Sequence, residues 1–212
     1  LPLFWEPEFV TYRDGVEGVT IGAPFEFNYN VVSFTEDATP ASGSTDTVII
    51  GTTDEVNSLD AQDAYATHDW EIIKNTGVPL LKYVPGTSDL VPGAAADFPV
   101  ASDDGLVYTF KLKEEAKFQD GKPIRAEDFK WSFERACDPA TGSPTADTYL
   151  GDIVGCRDKL QGQADEVKGV QVIDDLTLEL TIDEPKGFFL AKMTYPTAYV
   201  LDRENVESSP DW

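Results

Sequence analysis

Apolar and polar positions alternate most regularly toward the end of the chain. Val170-Gln171-Val172-Ile173-Asp174-Asp175-Leu176-Thr177-Leu178-Glu179-Leu180 reads as two strands around an Asp174-Asp175 turn, which is a hairpin. Leu106, Tyr108, Phe110 and Leu112 alternate in the same way and predict another strand. Thr47-Val48-Ile49-Ile50 is a short unbroken apolar run, the pattern of a buried strand. Residues 1–34 are dense in β-formers: Phe4, Trp5, Phe9, Val10 and Tyr12, then the stretch 16–21. Within them Phe25, Phe27 and Tyr29 alternate with Glu26 and Asn28, as in a half-buried strand.

The helical period appears elsewhere. Phe129, Phe133, Ala136 and Cys137 fall at i, i+4, i+7 and i+8, one apolar stripe on a helix over 127–137 that Asp138-Pro139 ends. Trp70, Ile73 and Gly77 mark a second helix, with Thr67 or Asp69 as cap candidates and Gly77 as the stop. Residues 186–193, with Phe188, Phe189 and Leu190, predict a short third one. Between these, Thr35-Glu36-Asp37-Ala38-Thr39-Pro40-Ala41-Ser42-Gly43-Ser44 lacks any large apolar residue and reads as a flexible linker.

Composition narrows the function. The 212 residues suit one or two domains and are 41% hydrophobic, too apolar for a disordered chain. Sixteen Lys+Arg against 39 Asp+Glu give a formal charge of −23. A chain so acidic lacks the basic face that nucleic acid requires, and it is repelled by anionic lipid. No apolar run is long enough to span a membrane. Glu6, Glu8, Arg13, Asp14 and Glu17 make residues 1–20 unlike a signal peptide, so an export signal is expected to be absent from this chain.

Candidate chemistry is sparse. Cys137 and Cys156 are the only cysteines, and His68 is the only histidine. The cysteine spacing is not that of a zinc site, and by composition the pair is open between two buried thiols and one disulfide, which would close a loop worth about 3 kcal/mol. His68 sits in Ala66-Thr67-His68-Asp69-Trp70 and reads as an exposed or capping residue rather than a catalytic one. Carboxylate pairs such as Asp103-Asp104, Glu114-Glu115 and Asp174-Asp175 read as solvated turns. No metal, cofactor or enzyme is expected.

Larger motifs say more. Thr53-Asp54-Glu55-Val56-Asn57-Ser58-Leu59-Asp60 resembles the opening strand of the family 5 extracellular solute-binding proteins, the oligopeptide-, dipeptide- and nickel-binding receptors of ABC importers. Ser102-Asp103-Asp104-Gly105-Leu106-Val107-Tyr108-Thr109-Phe110-Lys111-Leu112 is similar to the family's S-x-D-G-x-x-Y-T-F-x-L strand. Lys117-Phe118-Gln119-Asp120-Gly121-Lys122-Pro123, running on to Ala126, Asp128 and Phe129, is similar to its K-F-x-D-G-x-P-x-x-A-x-D-F turn and helix. Ser132-Phe133-Glu134-Arg135, Asp138-Pro139, the 170–180 hairpin, and Pro185 with Phe188-Phe189-Leu190 follow in family order. Leu1-Pro2-Leu3-Phe4-Trp5 and Gly15-Val16-Glu17-Gly18-Val19 instead resemble the family's end.

The resemblance therefore implies an α/β lobe of the type II periplasmic-binding-protein kind, with a mixed sheet and a small β-rich subdomain near 80–185. Residues 1–34 would be a C-terminal family segment that completes the lobe, 35–46 a linker, and 47–212 an N-terminal family segment. That order is a circularly permuted single lobe without its second lobe; engineering, or a natural tandem protein cut at odd points, gives the same order. The resemblance implies capture of an oligopeptide or similar solute in a cleft, delivery to an ABC permease, and an extracellular or periplasmic location, membrane-anchored in a full-length parent. Glu55, Val56, Asn57 and Ser58 would lie at the cleft mouth, and Tyr149, Tyr195, Pro196 and Thr197 along the site; Ala61 departs from the family's Pro after S-L-D. It also implies that Cys137 and Cys156 are bonded. One lobe supplies half a site, so weak or no solute binding is expected, and the exposed inter-lobe face is open to homodimerisation. The alternative is a non-catalytic scaffold without a solute ligand.

Overall fold

The computed structural model describes residues 10–22, 26–39, 43, 47–51 and 55–209. In chain order the strands and helices are β1 (Val16–Glu17), β2 (Ile21–Gly22), β3 (Glu26–Phe27), β4 (Ser33–Phe34), α1 (Thr67–Thr76), β5 (Leu81–Tyr83), β6 (Leu90–Pro92), β7 (Val100–Ala101), β8 (Val107–Lys111), α2 (Ala126–Ala136), α3 (Ala146–Tyr149), α4 (Cys156–Leu160), β9 (Val170–Asp174), β10 (Thr177–Thr181), α5 (Phe189–Lys192) and α6 (Arg203–Ser208). Single 3-10 turns lie at Tyr29–Val31 and Pro196–Ala198.

The central element is a four-stranded sheet in the order β7-β8-β10-β9. Every strand pairing among the described residues is antiparallel. The alternation at 106–112 turns Phe110 and Leu112 inward, and on β10 it does the same for Leu178 and Leu180. Helix α2 packs its stripe, Phe129, Phe133 and Ala136, into this core, all without solvent exposure. Asp128 Oδ2 accepts a hydrogen bond from Arg125 N at 2.8 Å, which satisfies a free donor at the helix start. The Cys137–Cys156 disulfide then joins the end of α2 to the start of α4.

The hairpin forms, with its turn one residue later than expected. β9 runs through Asp174, so Asp175 and Leu176 make the turn. Asp174 Oδ1 accepts from Leu176 N at 2.9 Å and bends the chain there, and the register shifts between Thr177 and Leu178.

Three expectations need correction. Residues 47–50 are not a buried strand: they carry no strand geometry, and Val48, Ile49 and Ile50 are exposed. An apolar run becomes a strand only where a neighbour completes its ladder, and no described strand pairs with it. The alternation around Phe27 and Tyr29 yields only the two-residue β3, because Tyr29–Val31 tightens into a 3-10 turn; Phe25, like Phe4, Trp5 and Phe9, lies outside the described residues. Neither Thr67 nor Asp69 caps α1. Ala66 is its N-cap, without a side-chain bond, and the Asp69 carboxylate is engaged elsewhere. Gly77 does end α1; a Cβ there would press on the Tyr199 ring.

Segment 10–34 pairs its strands internally, β1 with β4 and β2 with β3; it meets α1, and Thr20 lies beside Gly86 in the turn between β5 and β6. The Asn75 amide donates to Phe27 O at 2.7 Å and accepts from Tyr29 N at 2.9 Å, while the Tyr29 hydroxyl donates to Glu71. Residues 35–38 fold back on this segment, with Thr35 N donating to Gly15 O at 2.9 Å.

A buried carboxylate ties α4 and α5 together. Asp152, 5% exposed, meets Lys186 Nζ at 2.8 Å, Lys192 Nζ, and Arg157 Nη2 at 3.6 Å. Burial alone would raise its pKa, but the lysine hydrogen bonds outweigh burial and hold it below the usual value. Its stabilising effect is therefore complete above the unfolded carboxylate range near pH ~4 and is lost as pH falls through the lower folded value. Acid unfolding of Asp152→Asn, followed by circular dichroism, is expected to depend less steeply on pH below about 4 than that of the wild type.

Candidate functional site

The two tyrosines singled out by sequence come together. Tyr149 closes α3, and Tyr195 precedes the 3-10 turn whose first residue is Pro196, a position that suits the fixed proline φ. Thr145 and Thr197 hydroxyls share a buried hydrogen bond of 2.8 Å, which fixes that turn against the start of α3. Pro196 and Thr197 are themselves buried. The Tyr149 and Tyr195 rings stack with centroids 4.1 Å apart and 26° between planes.

Trp70, one turn into α1, meets both rings edge-on, 5.8 Å from Tyr149 and 5.6 Å from Tyr195. Its indole donates to Ala64 O at 2.8 Å, so its plane is set by the segment before the helix. Lys74, four residues on and on the same helix face, holds its ammonium 5.5 Å from the Tyr195 ring centre. All three aromatic rings are half-buried. Burial, reinforced by the neighbouring Tyr195, pushes the Tyr149 hydroxyl up to about 12; burial likewise raises Tyr195. Both phenols stay protonated at neutral pH and offer neutral hydrogen-bonding tips above an aromatic wall.

Residues 55–58 border the same helix. Asn57 N donates to Asp69 Oδ1 at 2.9 Å, and Asp60 N donates to Ser58 Oγ at 3.3 Å. His68 is half-buried, not exposed: Nε2 lies 3.3 Å from Asp69 Oδ1 and from Asn57 Nδ2, and contacts the Glu55 carbonyl. It belongs to this junction and faces no nucleophile in these contacts. Glu55 and Val56 are exposed. Among the described residues no group of three His, Cys, Asp or Glu side chains is placed to hold a metal ion, and no helix is long and apolar enough to cross a membrane.

Trp70 and Lys74, which meet the tyrosine pair, were not among the residues expected at the site. Their i, i+4 spacing was the available signal, but a tryptophan at helical spacing reads first as core.

The family model of the bacterial extracellular solute-binding proteins, family 5 Middle, matches residues 89–211, more than half of the chain. The periplasmic oligopeptide-binding protein OppA of Escherichia coli is 35% identical over 160 residues, 72% of this chain and 28% of that protein. The periplasmic murein peptide-binding protein MppA of Escherichia coli is 31% identical over 161 residues, 75% of this chain and 29% of that protein. In structure, MppA superposes with a TM-score of 0.70 at 31% identity over 76% of this chain and 31% of that one. Listeria monocytogenes OppA, solved bound to peptide, gives 0.64 at 29% identity over 71% of this chain and 29% of that one. The chain thus spans less than a third of the length of these relatives, and its α/β fold is that of type II periplasmic binding proteins. On the matched residues and the shared fold, the chain belongs to the bacterial extracellular solute-binding proteins of family 5.

Proposed function

We propose that this chain is part of a peptide-capturing lobe, serving an ABC permease from the periplasm or the outer cell surface, and that it performs no catalysis. The observation that carries the reading is the stacked Tyr149–Tyr195 pair with Trp70 at its edge. Half-buried rings give a peptide side chain a rigid apolar wall with few torsions to freeze, and the phenol tips can meet main-chain amides. Residues 55–58 form the mouth of the same site. The relatives named for oligopeptide and murein peptide binding support the ligand class.

Segment 1–34 completes the lobe, a reading supported by the seating of Phe27 and Tyr29 on α1 through Asn75. The opposing wall of the cleft belongs to a second lobe, so capture by this chain alone is weak, and the face left open is where two copies would meet.

A titration with the tripeptide Ala-Phe-Ala, followed by the amide and indole resonances of the labelled chain, tests this. Saturable shifts in the millimolar range are expected at Trp70, Tyr149 and Tyr195, with smaller ones for Ala-Ala-Ala, about −4 kcal/mol being all that such affinity represents. Shifts scattered over the surface, or none, would favour a scaffold without a solute ligand.

A further inference from the structure

Asp69 is 1% exposed and lies in the first turn of α1. A carboxylate there ordinarily serves its own helix, by capping or by the dipole. Here it reaches out of the helix and accepts the Asn57 N–H. Three residues on, α2 grips the same segment. Arg135 donates to both oxygens of Asp60, at 3.1 and 2.7 Å, and to Gln62 Oε1 at 2.6 Å. Gln62 is fully buried and donates onward to Ser132 O at 2.5 Å. Trp70 then takes Ala64 O. The chain from 57 to 64 is thus fastened at four points, and the fastenings come from two helices.

What this leaves outside includes three large apolar side chains among the polar Glu55, Asn57 and Asp63. Val56 is 47% exposed, Leu59 57% and Tyr65 70%, while Ala61, Gln62 and Ala64 between them are buried. Folding gains little by fixing side chains that stay in water, and holding a buried charge to do it is costly. Fixed apolar groups do help association, because the ordering cost is met before the ligand arrives.

We infer that Asp69, backed by Arg135, is a positioning residue that pre-forms Val56 and Leu59 as an apolar edge of the peptide site. The inference rests on the functional reading above and deepens it: side chains of a bound peptide would meet Val56 and Leu59 on one side and the Tyr149–Tyr195 wall on the other, and the α1 turn that carries Asp69 and Trp70 sets both.

The test uses the full chain as wild type, Asp69→Asn and Asp69→Ala, read by amide hydrogen exchange at Asn57 and by Ala-Phe-Ala titration. Asp69→Ala is expected to speed Asn57 exchange about tenfold, as loss of one hydrogen bond to a charged group implies, and to weaken the peptide about fivefold. Asp69→Asn keeps the Oδ1 acceptor and is expected to restore both to within about threefold of wild type. Unchanged Asn57 exchange in Asp69→Ala overturns the clamp. Faster exchange with unchanged affinity overturns the positioning role and leaves the peptide reading standing. A wild type that binds no Ala-Phe-Ala overturns the peptide reading, and the exchange comparison still decides the clamp. Should Asp69→Ala fail to fold, Arg135→Lys, which keeps the charge and loses the two-pronged grip on Asp60, is expected to weaken the peptide about fivefold; unchanged affinity there overturns the proposal.

Discussion

Phe133→Ala is expected to lower the unfolding free energy by about 3–5 kcal/mol. The ring is wholly buried in the middle of α2 and meets Phe129 edge-on at 6.1 Å. It lies in the cluster that joins α2 to Phe110, Leu178 and Leu180 of the sheet. Removal takes away its transfer free energy and leaves a cavity that a disulfide-anchored helix cannot readily collapse. Urea denaturation followed by far-ultraviolet circular dichroism measures the loss, and for a chain of this size the midpoint of thermal unfolding should fall by about 10 °C. A cost under about 1 kcal/mol would mean that α2 repacks freely and is not the core helix described here.

Loss of the disulfide comes next. Replacing Cys137 and Cys156 together by Ala is expected to cost about 2–5 kcal/mol, most of it by freeing the unfolded chain. The bridge joins cysteines 19 positions apart and closes a stretch that holds the short helix α3, with turn-forming Gly142, Pro144, Gly151 and Gly155. Both sulfurs sit in the core, so the small cavities left behind add to the entropic loss. The effect should reach the tyrosine pair, because Tyr149 lies within that same stretch: near-ultraviolet circular dichroism of the double variant should lose aromatic signal before the far-ultraviolet signal of α2 falls. Coincident loss would show that the site and the core unfold as one unit.

How much of this was legible in the sequence follows a physical line. The α2 stripe and the β8 alternation could be read directly, because one buried face leaves a period in the residues themselves. The hairpin was legible for the same reason, and its turn was misplaced by one because Asp174 and Asp175 are equally good turn formers. Val48-Ile49-Ile50 misled because an apolar run records a tendency to pair, whereas the pairing depends on a partner strand elsewhere. The site was legible in part. Tyr149 and Tyr195 were reached through family resemblance, and the disulfide gained its support the same way. Trp70 and Asp69 were not reached, since their contacts arise where α1 meets segments distant in the chain, and local periodicity carries no record of such meetings.

The Asn75 clasp has an evolutionary consequence. Its amide takes one carbonyl and one N–H from residues 27 and 29, and every residue except proline offers both. A join that reads main chain leaves the side chain at position 27 free to drift while the seat on α1 persists. Substitutions that remove the N–H at 29 or its hydroxyl bond to Glu71, or that shorten or lengthen the side chain at 75, are the ones selection would see, so divergence along this seam should concentrate at position 27.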